Sequence, residues 1–99
     1  MLVVITDEAE ADLERIGDFI ASDNPLRAVS FVSEFVDRCH DLADTSEAFP
    51  LVPRYEQTGV RRRPHGRYLI FYRASAGRIE VLHVLHGAQD HEALLFPAD

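Results

Sequence analysis

Residues 59–90, GVRRRPHGRYLIFYRASAGRIEVLHVLHGAQD, decide the fold of this 99-residue chain. Two apolar runs, 68–72 and 79–85, flank a short Ala/Ser/Gly segment, a pattern that predicts two strands joined by a tight turn. The strands are expected over 67–74 and 78–86, with the turn at Ser75, Ala76 and Gly77. Residues 59–64 add an edge strand, where proline and arginine discourage pairing with other chains. Together the three strands make an antiparallel meander.

Everything upstream reads as a short strand followed by helix. Leu2–Ile5 is apolar and mostly β-branched, hence a strand. Asp7 as N-cap with Glu10 three residues on predicts a helix over residues 7–21, whose apolar stripe is Ala9, Leu13, Ile16 and Ile20 and whose opposite face is acidic. Asn24 and Pro25 start a second helix, expected to run to Ala43 with Ala28, Val32, Phe35, Cys39 and Leu42 as its stripe. Neither stripe makes a core alone, so the helical hairpin packs on the sheet. Residues 44–57 read as a loop, and 91–99 as a short tail with Leu94, Leu95 and Phe96 available to dock. The chain is thus expected to form one α+β domain over residues 1–99.

The formal charge of −7 hides a division along the chain. Residues 1–49 hold twelve acids against three arginines, a balance of −9, whereas 50–80 hold seven arginines against two acids, a balance of +5. All ten basic residues are arginine, whose planar fork suits carboxylate or phosphate; GC-rich coding produces the same count. No stretch approaches the roughly 20 apolar residues of a membrane span, and the N-terminus lacks a basic leader, so a cytoplasmic location is expected. A single cysteine, Cys39, allows no internal disulfide, and its place on the helical stripe makes it a small buried hydrophobe.

Period two sorts the strand residues into faces. Arg67, Leu69, Phe71 and Arg73 share one, opposite Tyr68, Ile70 and Tyr72; Ile79, Val81, His83 and Leu85 share one, opposite Glu80, Leu82, Val84 and His86. His83 and His86 then point apart, which argues against a metal site. Arg61, Arg62 and Arg63 likewise span two faces and cannot all grip one phosphate. They form either a solvated edge or a recognition surface. Tyr68 and Tyr72 fit packing at the core margin better than base stacking. His86, before Gly87 at a strand end, is the best single candidate for a functional side chain, the alternative being a histidine satisfied by the backbone of residues 87–90.

In order and in residues, the chain resembles the ParE branch of the ParE/RelE toxin family. The resemblance rests on Asp12-Leu13, Ile16, Phe19-Ile20-Ala21, Asn24-Pro25, Ala28, Phe31 and Leu42-Ala43 in the hairpin. It continues through Gly59-Val60-Arg61, residues 66–70, Tyr72-Arg73 and residues 84–87. Two departures stand out: Gln89-Asp90 where the family commonly shows arginine before the aspartate, and residues 49–53 in place of a glycine-rich segment.

The resemblance implies a RelE-like fold and a small cytoplasmic, bacterial type II toxin, held as a hetero-oligomer by a cognate ParD-like antitoxin. ParE-like members poison DNA gyrase without catalysis; RelE-like relatives cleave messenger RNA on the ribosome. Cleavage needs a base, an acid and cations on the phosphate, and Arg61, Arg73 and His86 supply a partial set. The tail adds only His91, and net negative charge opposes binding to ribosomal RNA. The expected activity is therefore gyrase inhibition, with the RelE-type endoribonuclease and an inactive toxin-fold binding module as alternatives. Arg61, Arg63, Arg67, Arg73, His86 and Asp90 are the partner-binding candidates. No cofactor, metal, membrane partner or sequence-specific nucleic-acid contact is expected. Truncation after Gly87 is expected to abolish toxicity and leave much of the fold.

Overall fold

A computed structural model describes residues 1–97. It contains strand β1 (Leu2–Ile5), helices α1 (Asp7–Ala21) and α2 (Pro25–Thr45), and a 3₁₀ turn at Glu56–Thr58. Strands β2 (Arg61–His65), β3 (Tyr68–Ser75) and β4 (Arg78–His86) follow, then a short helix α3 (His91–Leu95). This is the α+β order expected from the sequence.

Thr6 rather than Asp7 caps α1, accepting the Ala9 N–H at 3.2 Å. The reason is dual use: Thr6 Oγ1 also donates to the Val81 carbonyl at 2.7 Å, tying the helix start to the sheet, and a carboxylate has no hydrogen to give. Asp7, Glu8 and Glu10 occupy the first turn, at the positive end of the helix dipole. Asn24 caps α2 through the Arg27 N–H, with Pro25 in the first turn, as expected. Thr45 Oγ1 donates to the Asp41 carbonyl in the last turn, which lies beyond the expected end at Ala43. Where α1 crosses α2, Gly17 lets the helices approach: a Cβ built there would lie 3.1 Å from Val32 Cγ2.

The four-stranded sheet has the order β1-β4-β3-β2. β1 runs parallel to β4 and the other neighbours are antiparallel, so a meander carries one parallel edge strand. β2 spans Arg61–His65 rather than the expected 59–64, and two boundaries around β3 move by a residue. Ser75 stays in β3, paired with Arg78, because Ala76 and Gly77 alone turn the chain, both at positive φ (52° and 78°), as a two-residue primed hairpin turn requires. Arg67 leaves β3 and joins Gly66 in the β2–β3 turn.

A bulge corrects the period-two reading of β4. Phe71 pairs with His83 and Tyr72 with Val81, leaving Leu82 as an extra residue. Ile79, Val81 and Val84 consequently enter one cluster, although simple alternation set Val84 opposite the other two. That cluster lies under the helices and joins Ala9, Leu13 and Ile16 of α1, Phe35, Cys39 and Leu42 of α2, and Ile70 and Tyr72 of β3. Burial pushes the Cys39 thiol up to about 11, and raises the Tyr72 hydroxyl too. That hydroxyl donates to the Ser46 carbonyl at 2.7 Å. The other face carries a second cluster, Val52, Val60, Phe71 and Leu85, covered by Tyr55, Leu95 and Phe96. Phe96 stacks on Tyr55, so residues after Gly87 close this second core. Truncation after Gly87 would uncover this second core and leave the helix-covered cluster, which holds no residue beyond Gly87, in place.

Candidate functional site

Strand pairing sorts the arginines. Arg61 pairs with Tyr72 and Arg63 with Ile70, which places both on the helix-covered face. Each is consumed by the fold. Arg61 donates to the Phe49 carbonyl at 2.7 Å; Arg63 donates to the Arg38 carbonyl at 3.0 Å and lies over the Phe49 ring at 4.8 Å. These two side chains hold the segment after α2 against the edge strand. Arg73 belongs to the opposite face. Its closest carboxylate is that of Glu80 at 3.6 Å, beyond good hydrogen-bond length, and Arg78 approaches the same carboxylate at 3.2 Å. Arg73 Nε is buried without a partner. An orphaned charged donor of that kind costs about 1–3 kcal/mol.

Arg67 and His86 meet at the far end of the sheet. The Arg67 carbonyl accepts from the Gly87 N–H at 2.8 Å, while its side chain is exposed. His86 packs edge-on against Tyr68, ring centroids 5.3 Å apart, and its Nδ1 accepts the Ala88 N–H at 3.1 Å. Its backbone is held by the Gln89 side chain and by the His91 ring. The backbone-satisfied alternative for His86 therefore describes what is found. Tyr68 packs against Phe31 and Phe35, at the core margin. Asp90 caps α3 through the Ala93 N–H.

The six candidates accordingly do not converge. Tyr68, opposite His86, and Arg73 lie five residues apart on β3, about 17 Å along an extended strand. Arg61 and Arg73 stand near one end on opposite faces, and His86 near the other. Among the described residues, no group of three His, Cys, Asp or Glu side chains is placed to hold a metal ion. No described helix is long and apolar enough to cross a membrane.

A centre absent from the sequence-based site set lies where β4 outruns its neighbour. β1 pairs only as far as Val81, and the Asp12 carboxylate of α1 takes over. Asp12 is 4% exposed; its Oδ2 accepts from the Val84 N–H at 2.9 Å and contacts His83 Nδ1 at 2.7 Å, and its Oδ1 accepts from Arg15 at 2.7 Å. Because a carboxylate only accepts, Nδ1 carries the hydrogen and Nε2 is turned free. His83 lines a cleft of about 380 Å³ with Thr6, Glu8, Val60, Arg73 and Leu82, closed on one side by α3 and Phe96.

The outer side of the hairpin carries a second concavity, a groove of about 980 Å³ between α1 and α2. Its floor includes Leu13, Ala28, Val32 and Val36, and its rim is acidic, with Asp7, Glu10, Glu14 and Asp18. Val29 on this groove is 73% exposed, and nearby on the hairpin Leu26 is 85% and Phe19 75% exposed.

A family model described as "ParE toxin of type II toxin-antitoxin system, parDE" matches residues 3–91. The chain belongs to the ParE toxin family. Among solved structures, a chain of the chromosomal ParDE TA system from P. aeruginosa superposes with a TM-score of 0.75 at 24% identity, covering 87% of this chain and 95% of its own. That likeness concerns the fold. No curated protein sequence matches.

Within this ParE-family chain, the missed residues are Asp12 and His83. The acidic character of α1 gives no sign that one of its carboxylates is buried, and only the turn position of Asp12, flanking Ala9 and Ile16 on the buried stripe, carries a signal that it faces inward. Nothing local in the sequence links Asp12 to Val84, seventy-two positions away.

Proposed function

We propose that this ParE-family toxin arrests growth by acting on DNA gyrase without catalysis, in the cytoplasm, and that a cognate ParD-like antitoxin neutralises it. The observation that carries the non-catalytic reading is the dispersal of Arg61, Arg73 and His86: a phosphate held by either arginine lies far from His86, whose Nδ1 is already occupied. General acid–base chemistry requires reach of about 3 Å. The acidic, apolar hairpin groove supports antitoxin docking, since it suits an amphipathic segment with a basic flank. For the target contact, the internal bonds of Arg61, Arg63 and Asp90 favour leaving them out. Arg67 and His86 at the turn tip, and Arg73 in the cleft, remain as the residues proposed to meet a partner.

The test is expression of the chain alone, then supercoiling and DNA-cleavage assays with purified gyrase. Growth arrest with stabilised double-strand breaks is expected. Intact DNA together with messenger RNA cut on ribosomes selects the RelE-type endoribonuclease, and unimpaired growth selects the inactive binding module.

A further inference from the structure

Residues 90–96 are fastened to the rest of the chain by side chains. We infer that they form a latch, which swings off the second core about a pivot at Gln89 and Asp90 while the helix-covered core stays folded, and so controls access to the sheet face and cleft beneath. The chain is anchored as far as Gln89: the Gly87 N–H donates to the Arg67 carbonyl, and His86 and Gln89 close a turn on each other. Beyond that turn, among the described residues, no backbone–backbone hydrogen bond joins 90–96 to the sheet or to the loop at 52–58. Phe96 instead stacks on Tyr55 with ring centroids 4.1 Å apart, and Glu92 pairs with Arg54 and meets the Tyr55 hydroxyl at 3.4 Å. His91 packs on Phe71 at 5.1 Å, and its Nε2 donates to the His86 carbonyl at 2.9 Å.

These fastenings yield before a core does. The Arg54–Glu92 pair is 77% and 39% exposed, so salt screens it. Arg54 holds it from a left-handed backbone, φ 73°, which a residue with a side chain rarely adopts, so the anchor is itself strained. α3 has five residues and none is buried. A helix that short does not hold in water by itself, so lifting it also frees its backbone. What lies beneath is of the opposite character: Val52, Val60, Phe71 and Leu85 are at most 5% exposed, and Leu94, Leu95 and Phe96 line the cleft over Val60. A thin cover held at its margin over a dry face opens at a lower cost than the whole fold.

Thiol labelling tests this on the full chain, with Cys39 reporting on the helix-covered core and Val60→Cys placing a second thiol under the latch. Iodoacetamide is added without denaturant, and the labelling of each position is read by peptide mass. Position 60 should react at least about tenfold faster than Cys39, yet far slower than free cysteine. Glu92→Gln should speed position 60 about threefold, and Phe96→Ala about tenfold or more. Ile16→Val, which weakens only the helix-covered core, should speed Cys39 about fivefold and leave position 60 unchanged. Equal rates at the two thiols, or a position 60 that follows Cys39 in Ile16→Val, would mean that the cover lifts only when the whole chain unfolds, and overturns the inference. So does labelling at the rate of free cysteine, or no response to Phe96→Ala. Should Val60→Cys not fold, Val52→Cys puts the thiol into the same cluster and is held to the same outcomes.

Discussion

Arg63 and Arg73 sit on adjacent strands of one sheet and meet opposite surroundings. On the helix-covered face, Arg63 finds a backbone carbonyl and an aromatic ring, and Arg61 beside it finds another carbonyl. On the second face, cover comes only from a loop and a short helix; Arg73 meets a shared carboxylate and keeps one buried nitrogen unpaired. Residue type therefore does not decide what an arginine does in this protein. The layer that covers it does: carbonyls of α2 and of the loop after it accept from the guanidinium groups on the helix-covered face, whereas the cover of the second face leaves Arg73 Nε without a partner.

The contrast is broken most severely by removing the cover of the second face. Truncation after Gly87 deletes Leu95 and Phe96 and should lower stability by about 4 kcal/mol, with a rise in binding of a hydrophobic dye. Unchanged urea unfolding would mean that the tail covers nothing. Next comes Asp12→Ala, which strands the Val84 N–H and the His83 ring N–H; a loss of about 3 kcal/mol is expected, with Asp12→Asn intermediate. Alkaline pH sharpens the comparison from the other side, because the groups buried under the helices are weak acids. Cys39 has its pKa raised by burial from 9.0 to about 11, and that of Tyr72 is raised as well, so the folded chain keeps protons that the unfolded chain releases. Their contribution is intact below pH 9 and is lost as pH climbs toward 11 and beyond, by roughly 2 kcal/mol for Cys39, and Cys39→Val should flatten that fall in unfolding measured against pH.

Element order and the main core stripe were legible in the sequence because they depend on local pattern. Leu2–Ile5, the helical hairpin with its Asn24-Pro25 start, and the meander all follow from periodicity and caps. The bulge at Leu82 was not, since it arises where β1 ends and α1 must bind the exposed edge of β4, a tertiary requirement without a local residue signature. The Asp12–His83 contact is hidden for the same reason. For the candidate site, sequence named Arg73 among the partner-binding candidates, and its buried nitrogen is left without a partner in the fold; it did not foresee that Arg61, Arg63 and Asp90 spend their polar atoms internally.

The division between the two faces is tested most directly by urea unfolding of Arg63→Ala and Arg73→Ala, measured side by side. Arg63→Ala should lose about 1–2 kcal/mol, because it gives up a charged hydrogen bond and its packing on Phe49. Arg73→Ala should not lower stability and should raise it by about 1 kcal/mol, because its ion pair is loose and its removal relieves a buried unpaired donor. The reverse order would contradict the account, making Arg73 the structural residue and Arg63 the free one.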